Sequence, residues 1–327
     1  MDFSDPHIPI DEMYAYTEYD ENDDKATYSS GRTLATSITR YRYENGRRYH
    51  AFRDGEYYQP NDAQHSSYEL IVHHLWLLTL EDKLFVAPLQ NPKRILDIGT
   101  GTGLWAADIA DFFPEAEVTG TDLSPTQVTG APYNVRFEID DCCSEWTYPE
   151  NSFDFVHMRG LTGSIGDWGY LYEQAFKHIQ PGGYLEHLEF GIYTSASPDS
   201  NNPADVLYRR LSDLICEAGD KMGKEFRVAE RIADRMRRAG FVDVVEKKFI
   251  WPIGPWSSDT KLKEIGRWNQ RNWEEGLEGW VMALYTRMLG WSGTDVRDFV
   301  EDMKKVVRDR SQHFWHEVRV VYGRKPA

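Results

Sequence analysis

Residues 95–106, Ile-Leu-Asp-Ile-Gly-Thr-Gly-Thr-Gly-Leu-Trp-Ala, confine this 327-residue chain to a narrow set of folds. A short apolar run from Arg94 to Ile98 closes on glycines, as a buried parallel strand does. Gly99, Gly101 and Gly103 let the backbone turn tightly and let a ligand approach its amides. A helical pattern starts at Leu104, so the N-terminus of a helix faces the same turn and attracts an anionic group. Strand, glycine turn and helix together open a doubly wound α/β sheet.

The rest of the chain continues that alternation. Leu104–Phe113 reads as a helix stopped at Pro114. Glu117–Asp122, Val135–Asp140 and Phe153–Met158 read as strands. Leu171–Ile179 is helical, and the Pro181-Gly182-Gly183 turn leads into a strand over Tyr184–Phe190. Upstream, Asn61 or Asp62 caps a helical pattern through Leu70, Ile71, His74, Leu75 and Leu78, ending before Pro88. Downstream, Arg227–Ala239 is helical, Phe241–Ile250 is a strand and Val318–Tyr322 is strand-like. Between the last two lie Trp-rich helices and one clean helical face at Val296, Phe299, Val300, Met303, Val306 and Val307. The reading divides the chain into an acidic flexible tail (1–30), an N-terminal cap (31–90) and a catalytic domain (91–327). Helical insertions fall at about 200–240 and 255–312 of that domain.

Charge and composition exclude several functions. With 37 Lys+Arg against 53 Asp+Glu, the chain cannot grip nucleic acid through bulk charge. No stretch has the length and apolarity of a membrane span, and Met1–Asp11 lacks an apolar core of the secretory kind. Three cysteines, two of them adjacent (Cys142, Cys143), make no disulfide framework, so reduced thiols in the cytoplasm are expected. Neighbouring His73 and His74 cannot face one metal from a helix and have no evident third ligand. The expectation is no metal, with one histidine packed and one exposed.

The glycine spacing narrows the ligand. A dinucleotide site uses G-x-G-x-x-G, but here the spacing is G-x-G-x-G, and Leu104 stands where the third glycine would be. Asp97 precedes the first glycine, which suits a ligand bearing both a carboxylate and an ammonium group. Asp122 ends the second strand, where a carboxylate accepts ribose hydroxyls. Asp140, Asp141 and Cys142 follow the third strand, where a carboxylate and a backbone amide meet adenine. Three acids at successive strand ends behind one glycine turn point to S-adenosylmethionine. A nicotinamide-dependent oxidoreductase is disfavoured by the missing glycine and by Asp97.

The chain resembles the class I S-adenosylmethionine-dependent methyltransferases, and more narrowly the fungal LaeA-like methyltransferases of secondary metabolism. The resemblance covers about residues 40 to 325. It is carried by Gln59-Pro-Asn-Asp62, Ala87-Pro88, the segment 95–106, Gly120-Thr-Asp-Leu-Ser-Pro125 with Gln127, Asn134–Asp141, Trp146, Asn151–Arg159 and Gln180-Pro-Gly-Gly183. The chain departs from the family pattern at Gln64-His-Ser-Ser-Tyr68 and at Thr126 and Val128. The resemblance implies a Rossmann-like, mostly parallel seven-stranded sheet with an N-terminal helical cap and helical insertions in the C-terminal half. It implies that Asp97, Gly99, Thr100, Gly101 and Gly103 cradle the methionyl part. Asp122 would take the ribose, with Leu123 beside it in the cofactor site, Asp140, Asp141 and Cys142 would meet the adenine, and the His157-Met158-Arg159 strand end would lie near the transferred methyl.

Candidates for a general base are His157, Glu186, His187 and Glu189; strand alternation turns half of these into packing positions. Tyr57, Tyr58, Trp168 and Trp256 are expected to line an aromatic substrate pocket. The activity expected is methyl transfer to an O, N or S atom of a small-molecule natural product, with no nucleic-acid or membrane partner. The alternative is a nuclear regulator of secondary-metabolite genes that acts with protein partners.

Overall fold

A computed structural model describes residues 41–196 and 200–327; the expected acidic tail lies outside the described residues. A short hairpin, β1 (Arg42–Glu44) and β2 (Arg47–Tyr49), precedes the long cap helix α1 (Ala63–Leu80). Asp62 caps that helix by accepting from the His65 amide. The same carboxylate takes a two-point bond from Arg47, at 2.6 and 2.8 Å, which ties the hairpin to the helix start.

The sheet then builds in alternation with helices. Its strands are β3 (Arg94–Ile98), β4 (Glu117–Asp122), β5 (Val135–Ile139), β6 (Phe153–Arg159), β7 (Ile179–Thr194), β8 (Val242–Pro252) and β9 (Trp315–Arg324). Helix α2 (Leu104–Phe112) links β3 to β4, and α3 (Trp168–His178) links β6 to β7. The spatial order is β5-β4-β3-β6-β7-β9-β8, with β9 antiparallel to both neighbours and the other pairs parallel. The order reverses between β3 and β6, so a crevice opens there at the carboxyl edge.

Two expectations change in detail. Strand β7 starts at Ile179 and runs through the Pro-Gly-Gly segment, because Ile179 already pairs with Phe153 and the glycines form an irregularity within the ladder. The single helix expected over 227–239 is a turn of 3-10 helix (Ala229–Arg231) followed by α5 (Ile232–Arg238).

The helical segments between the last strands are α4 (Pro203–Met222), α6 (Thr260–Met288) and α7 (Gly293–Arg308). They share one apolar core, in which Tyr208, Leu211, Leu277, Val281, Tyr285, Val296 and Met303 are buried. The cap helix packs onto α6 through Tyr68 against Trp280 and His74 against Trp268. Cap and insertion helices therefore stand over the sheet edge where the crevice opens. No helix among the described residues is long and apolar enough to cross a membrane.

Candidate active site

The glycine turn is held from three directions. From the sheet, the Thr100 amide donates to the Thr121 carbonyl at 2.9 Å. From the end of β4, Asp122 accepts the Gly101 amide at 2.9 Å through one oxygen and the Ser124 amide at 2.9 Å through the other. From the cap helix, Glu69 accepts the Thr102 amide at 2.8 Å. Gln127 adds a clamp by donating to the Gly101 carbonyl at 2.9 Å. Gly101 has a φ of +57°, and a Cβ there would stand 2.7 Å from a Glu69 carboxylate oxygen. The backbone therefore favours glycine, and any Cβ there would displace the Glu69 carboxylate.

Charge at this turn is balanced within the protein. Burial works against ionising Glu69, yet His65, 3.2 Å away, and the Thr102 amide outweigh it and hold the carboxyl below its ordinary range. Burial pushes the Asp122 carboxyl up to about 7, against the pull of its two amide donors. Asp97 is buried, and its two oxygens take His157 Nδ1 at 2.7 Å and the Thr100 hydroxyl at 2.6 Å. Arg159 donates to His73 Nδ1 at 3.2 Å, and the carboxylates of Asp97 and Glu69 help hold its charge against burial. His73 itself meets Asp108 at 2.8 Å, while His74 is half-buried against Trp268, not exposed as expected.

A cleft of about 1380 Å³, part of it open to solvent, runs along this edge. Asp97, Gly99, Thr100, Gly101, Asp122, Leu123, Asp140, Asp141, Cys142 and Arg159 line it, and so does Tyr57. Asp141 accepts the Cys143 amide and the Ser144 hydroxyl, so it shapes its own turn at the cleft wall. Gly103 and Met158 are not on the wall. Gly103 is the N-cap of α2, where a Cβ would meet the Phe137 ring at 2.5 Å, and Met158 is fully buried in the core under α3.

The four candidate bases lie inside the fold, away from the cleft wall. His157 is 1% exposed and stacked on Trp105 with ring centroids 3.6 Å apart. Burial lowers it to about 4 despite Asp97, so it is a neutral packing group that orients Asp97. Glu186 is fully buried and accepts the amides of Val86 and Ala87 at 2.9 and 2.6 Å, which anchors the segment leading into β3. His187 lies between the Tyr172 hydroxyl at 2.7 Å and Glu189 at 3.1 Å, and Glu189 in turn accepts from Leu161 and Thr162. That network pins the loop after β6. None of the four lines the cleft.

Residues 71–246 match a methyltransferase domain family. The chain is 37% identical over 302 residues to the methyltransferase pytC of Aspergillus terreus, covering 92% of this chain and 93% of that one. The chain belongs to the methyltransferase family. It is also 33% identical to the secondary metabolism regulator LAE1 of Cochliobolus heterostrophus, over 91% of this chain and 99% of that protein. The protein-methionine methyltransferase laeA of Emericella nidulans is 29% identical over 86% of this chain and 76% of its own. A solved putative methyltransferase from an antibiotic biosynthesis pathway of Anabaena variabilis is similar at 14% identity, covering 78% of this chain and 96% of that one, with a TM-score of 0.49.

This methyltransferase uses S-adenosylmethionine. The residues present fit that cofactor. A cation at Arg159 stands on the same wall as the carboxylates of Glu69 and Asp122, which suits a ligand bearing both a carboxylate and an ammonium group.

A second cavity, of about 710 Å³ with part of that space open to solvent, shares wall residues with the cleft. Gln59, Tyr68, Gly160 and Phe190 belong to both walls. Tyr58 lies on the second cavity alone, together with Leu211, Ile215, Phe226, Trp273 and Trp280. Trp168 and Trp256 line neither. Trp168 is buried against His187, and Trp256 donates to the Phe314 carbonyl beside His313.

Sequence reasoning missed His65, Tyr68 and Glu69 as cleft residues. One signal was present: His65 and Glu69 are four apart in the first turns of α1 and share one helical face. They fall in or beside the segment where the chain departs from the family pattern.

Proposed function

We propose that this methyltransferase transfers a methyl group to a small-molecule natural product held in the cavity beside the cofactor cleft. The observation that supports this most is the cavity itself, walled chiefly by aromatic and aliphatic side chains and sharing Gln59, Tyr68, Gly160 and Phe190 with the cleft wall. The relatives named as a secondary metabolism regulator and as a protein-methionine methyltransferase speak instead for the regulatory alternative.

In this reading Asp122 takes the ribose hydroxyls, and Asp140, Asp141 and Cys142 frame the adenine. Arg159 faces the methionyl carboxylate and Glu69 faces the ammonium, while the amides of the glycine turn are held by the Thr121 carbonyl, Asp122 and Glu69. S-adenosylmethionine supplies a methyl already activated on a sulfonium. The protein's task is therefore to align the acceptor and to exclude water. Tyr68, shared by both walls, is held protonated by burial. With the four candidate bases placed in the core, alignment carries the catalysis. This reading puts the protein in the cytoplasm; the regulatory alternative would put it in the nucleus with a protein acceptor.

The test is methyl-labelled donor incubated with the purified protein, a fungal metabolite extract and a fungal protein extract. Label in the organic phase is expected. Label confined to precipitated protein would support the regulatory alternative and overturn this reading.

A further inference from the structure

Arg159 ends β6 on the cleft wall, and its hydrogen-bond partner is an imidazole, not a carboxylate. A guanidinium cannot accept, so in the 3.2 Å contact with His73 Nδ1 the arginine donates and the histidine accepts. Nδ1 therefore carries no proton. The ring proton sits on Nε2, which donates to Asp108 at 2.8 Å. Three elements meet in this chain of bonds: β6 supplies Arg159, the cap helix α1 supplies His73 and α2 supplies Asp108. Burial keeps the His73 ring neutral, with Arg159 acting in the same direction and Asp108 and Asp97 pulling against it.

Carboxylates surround Arg159 without pairing to it. Asp97 is taken by His157 and the Thr100 hydroxyl, Glu69 by His65 and the Thr102 amide, and Asp108 by His73. Among the described residues no carboxylate stands within ion-pair distance of the guanidinium, and the His73 bond is its single hydrogen bond. A guanidinium has more N–H donors than that bond uses. None of the remaining ones is sealed in the interior, so they are left to the cleft. A half-buried arginine in this state has a fixed orientation and an uncancelled charge, and both favour an incoming carboxylate. A carboxylate in the place of His73 would pin the arginine equally well but would cancel its charge.

We propose that His73 is a positioning residue for cofactor binding: as a neutral acceptor oriented by Asp108, it holds the Arg159 guanidinium toward the cleft with its charge free for the methionyl carboxylate. The inference rests on the reading that places that carboxylate at Arg159. Because His73 lies on the cap helix, docking of the cap and binding of the cofactor's amino-acid end are linked through one hydrogen bond.

The probes are S-adenosylhomocysteine, which carries the carboxylate, and methylthioadenosine, which keeps the adenosine and the sulfur but lacks the amino-acid group. Both are titrated into the full chain by calorimetry. Arg159→Met is expected to weaken S-adenosylhomocysteine about thirtyfold and His73→Leu about tenfold, with methylthioadenosine within about twofold of wild type in both. His73→Asn and His73→Asp differ only in charge, and they carry the test where His73→Leu fails to fold. The asparagine variant is expected to keep wild-type affinity for S-adenosylhomocysteine, because its amide oxygen stands in for Nδ1. The aspartate variant is expected to lose about tenfold or more, although it too can hold the arginine. Wild-type S-adenosylhomocysteine affinity in His73→Leu, with the loss confined to Arg159→Met, would overturn the role of His73 and leave the carboxylate reading standing. Wild-type affinity in Arg159→Met would remove the carboxylate reading and this inference with it. Equal binding by the asparagine and aspartate variants would overturn the neutral acceptor. Parallel loss of both ligands in the His73 variants would mark a purely structural role and overturn the proposal as well.

Discussion

Replacing Gly101 by alanine should uncover how the cap helix and the glycine turn depend on each other. The backbone there has a φ of +57°, which costs an L-residue about 1–2 kcal/mol. The new Cβ would also lie 2.7 and 2.8 Å from the two carboxylate oxygens of Glu69. Glu69 must then move and release the Thr102 amide, a charge-assisted bond worth about 1.5–3 kcal/mol. The single variant is expected to lose about 3–5 kcal/mol. With an unfolding slope of about 3 kcal/mol/M in urea, that moves the midpoint by roughly 1 M or more. Glu69→Ala alone should cost about 1.5–3 kcal/mol, from the same hydrogen bond. In the Gly101→Ala background the second change should cost distinctly less, because the Thr102 bond is already gone and the His65 pairing alone is left to lose. Urea unfolding of the four proteins gives the coupling directly. If the two losses simply add, Glu69 does not sit over Gly101 as described and the cap helix is not part of the cleft.

Other outcomes follow from the same geometry. Asp122→Ala should abolish calorimetric binding of S-adenosylhomocysteine; wild-type affinity in that variant would remove the ribose assignment. Glu186→Gln should leave methyl transfer within about threefold of wild type, since Glu186 anchors backbone away from the cleft; a hundredfold loss would restore it as a base. Glu186 is raised to about 7 by burial, so its protonated form is favoured in the folded chain. Its contribution to stability is present below pH 4.5 and is lost as pH rises toward 7, and Glu186→Gln should flatten that slope in urea titrations. His316, lowered to about 4, acts in the opposite sense. Its contribution is complete above pH 6.5 and falls away as pH drops toward 4, by something on the order of 3 kcal/mol. Unfolding midpoints of wild type and His316→Asn at pH 7 and pH 4.5 check it.

The sheet was legible because its determinants are local. Ile95–Ile98 and Phe155–Met158 are mainly apolar runs closed by glycine or arginine, and Val118–Thr121 is a short uncharged segment closed by Asp122, which is enough to mark buried parallel strands. The acids at the strand ends were legible for the same reason, since chain order places them along one crevice. What each acid does with its oxygens was not. Asp97 is engaged by His157, sixty residues away in the chain, and no spacing rule links the two. The same limit hid Glu69, whose amide partner Thr102 comes from a different element. His157, Glu186 and His187 looked like bases because their residue types suit proton transfer. Burial decided otherwise: each lies at 0–1% exposure and has a protein partner already. Trp168 and Trp256 show the reverse difficulty. Aromatics mark pockets and cores alike, and only the packing of α4 and α6 selects Trp273 and Trp280 for the cavity.

The arrangement of cleft and cavity is tested most directly by a crystal structure with S-adenosylhomocysteine. The account predicts the ribose on Asp122, the adenine between Leu123 and Cys142, and the sulfur turned toward Gly160 and Phe190, where the second cavity begins. A sulfur pointing away from that rim, or a ligand bound anywhere else on the chain, would contradict it.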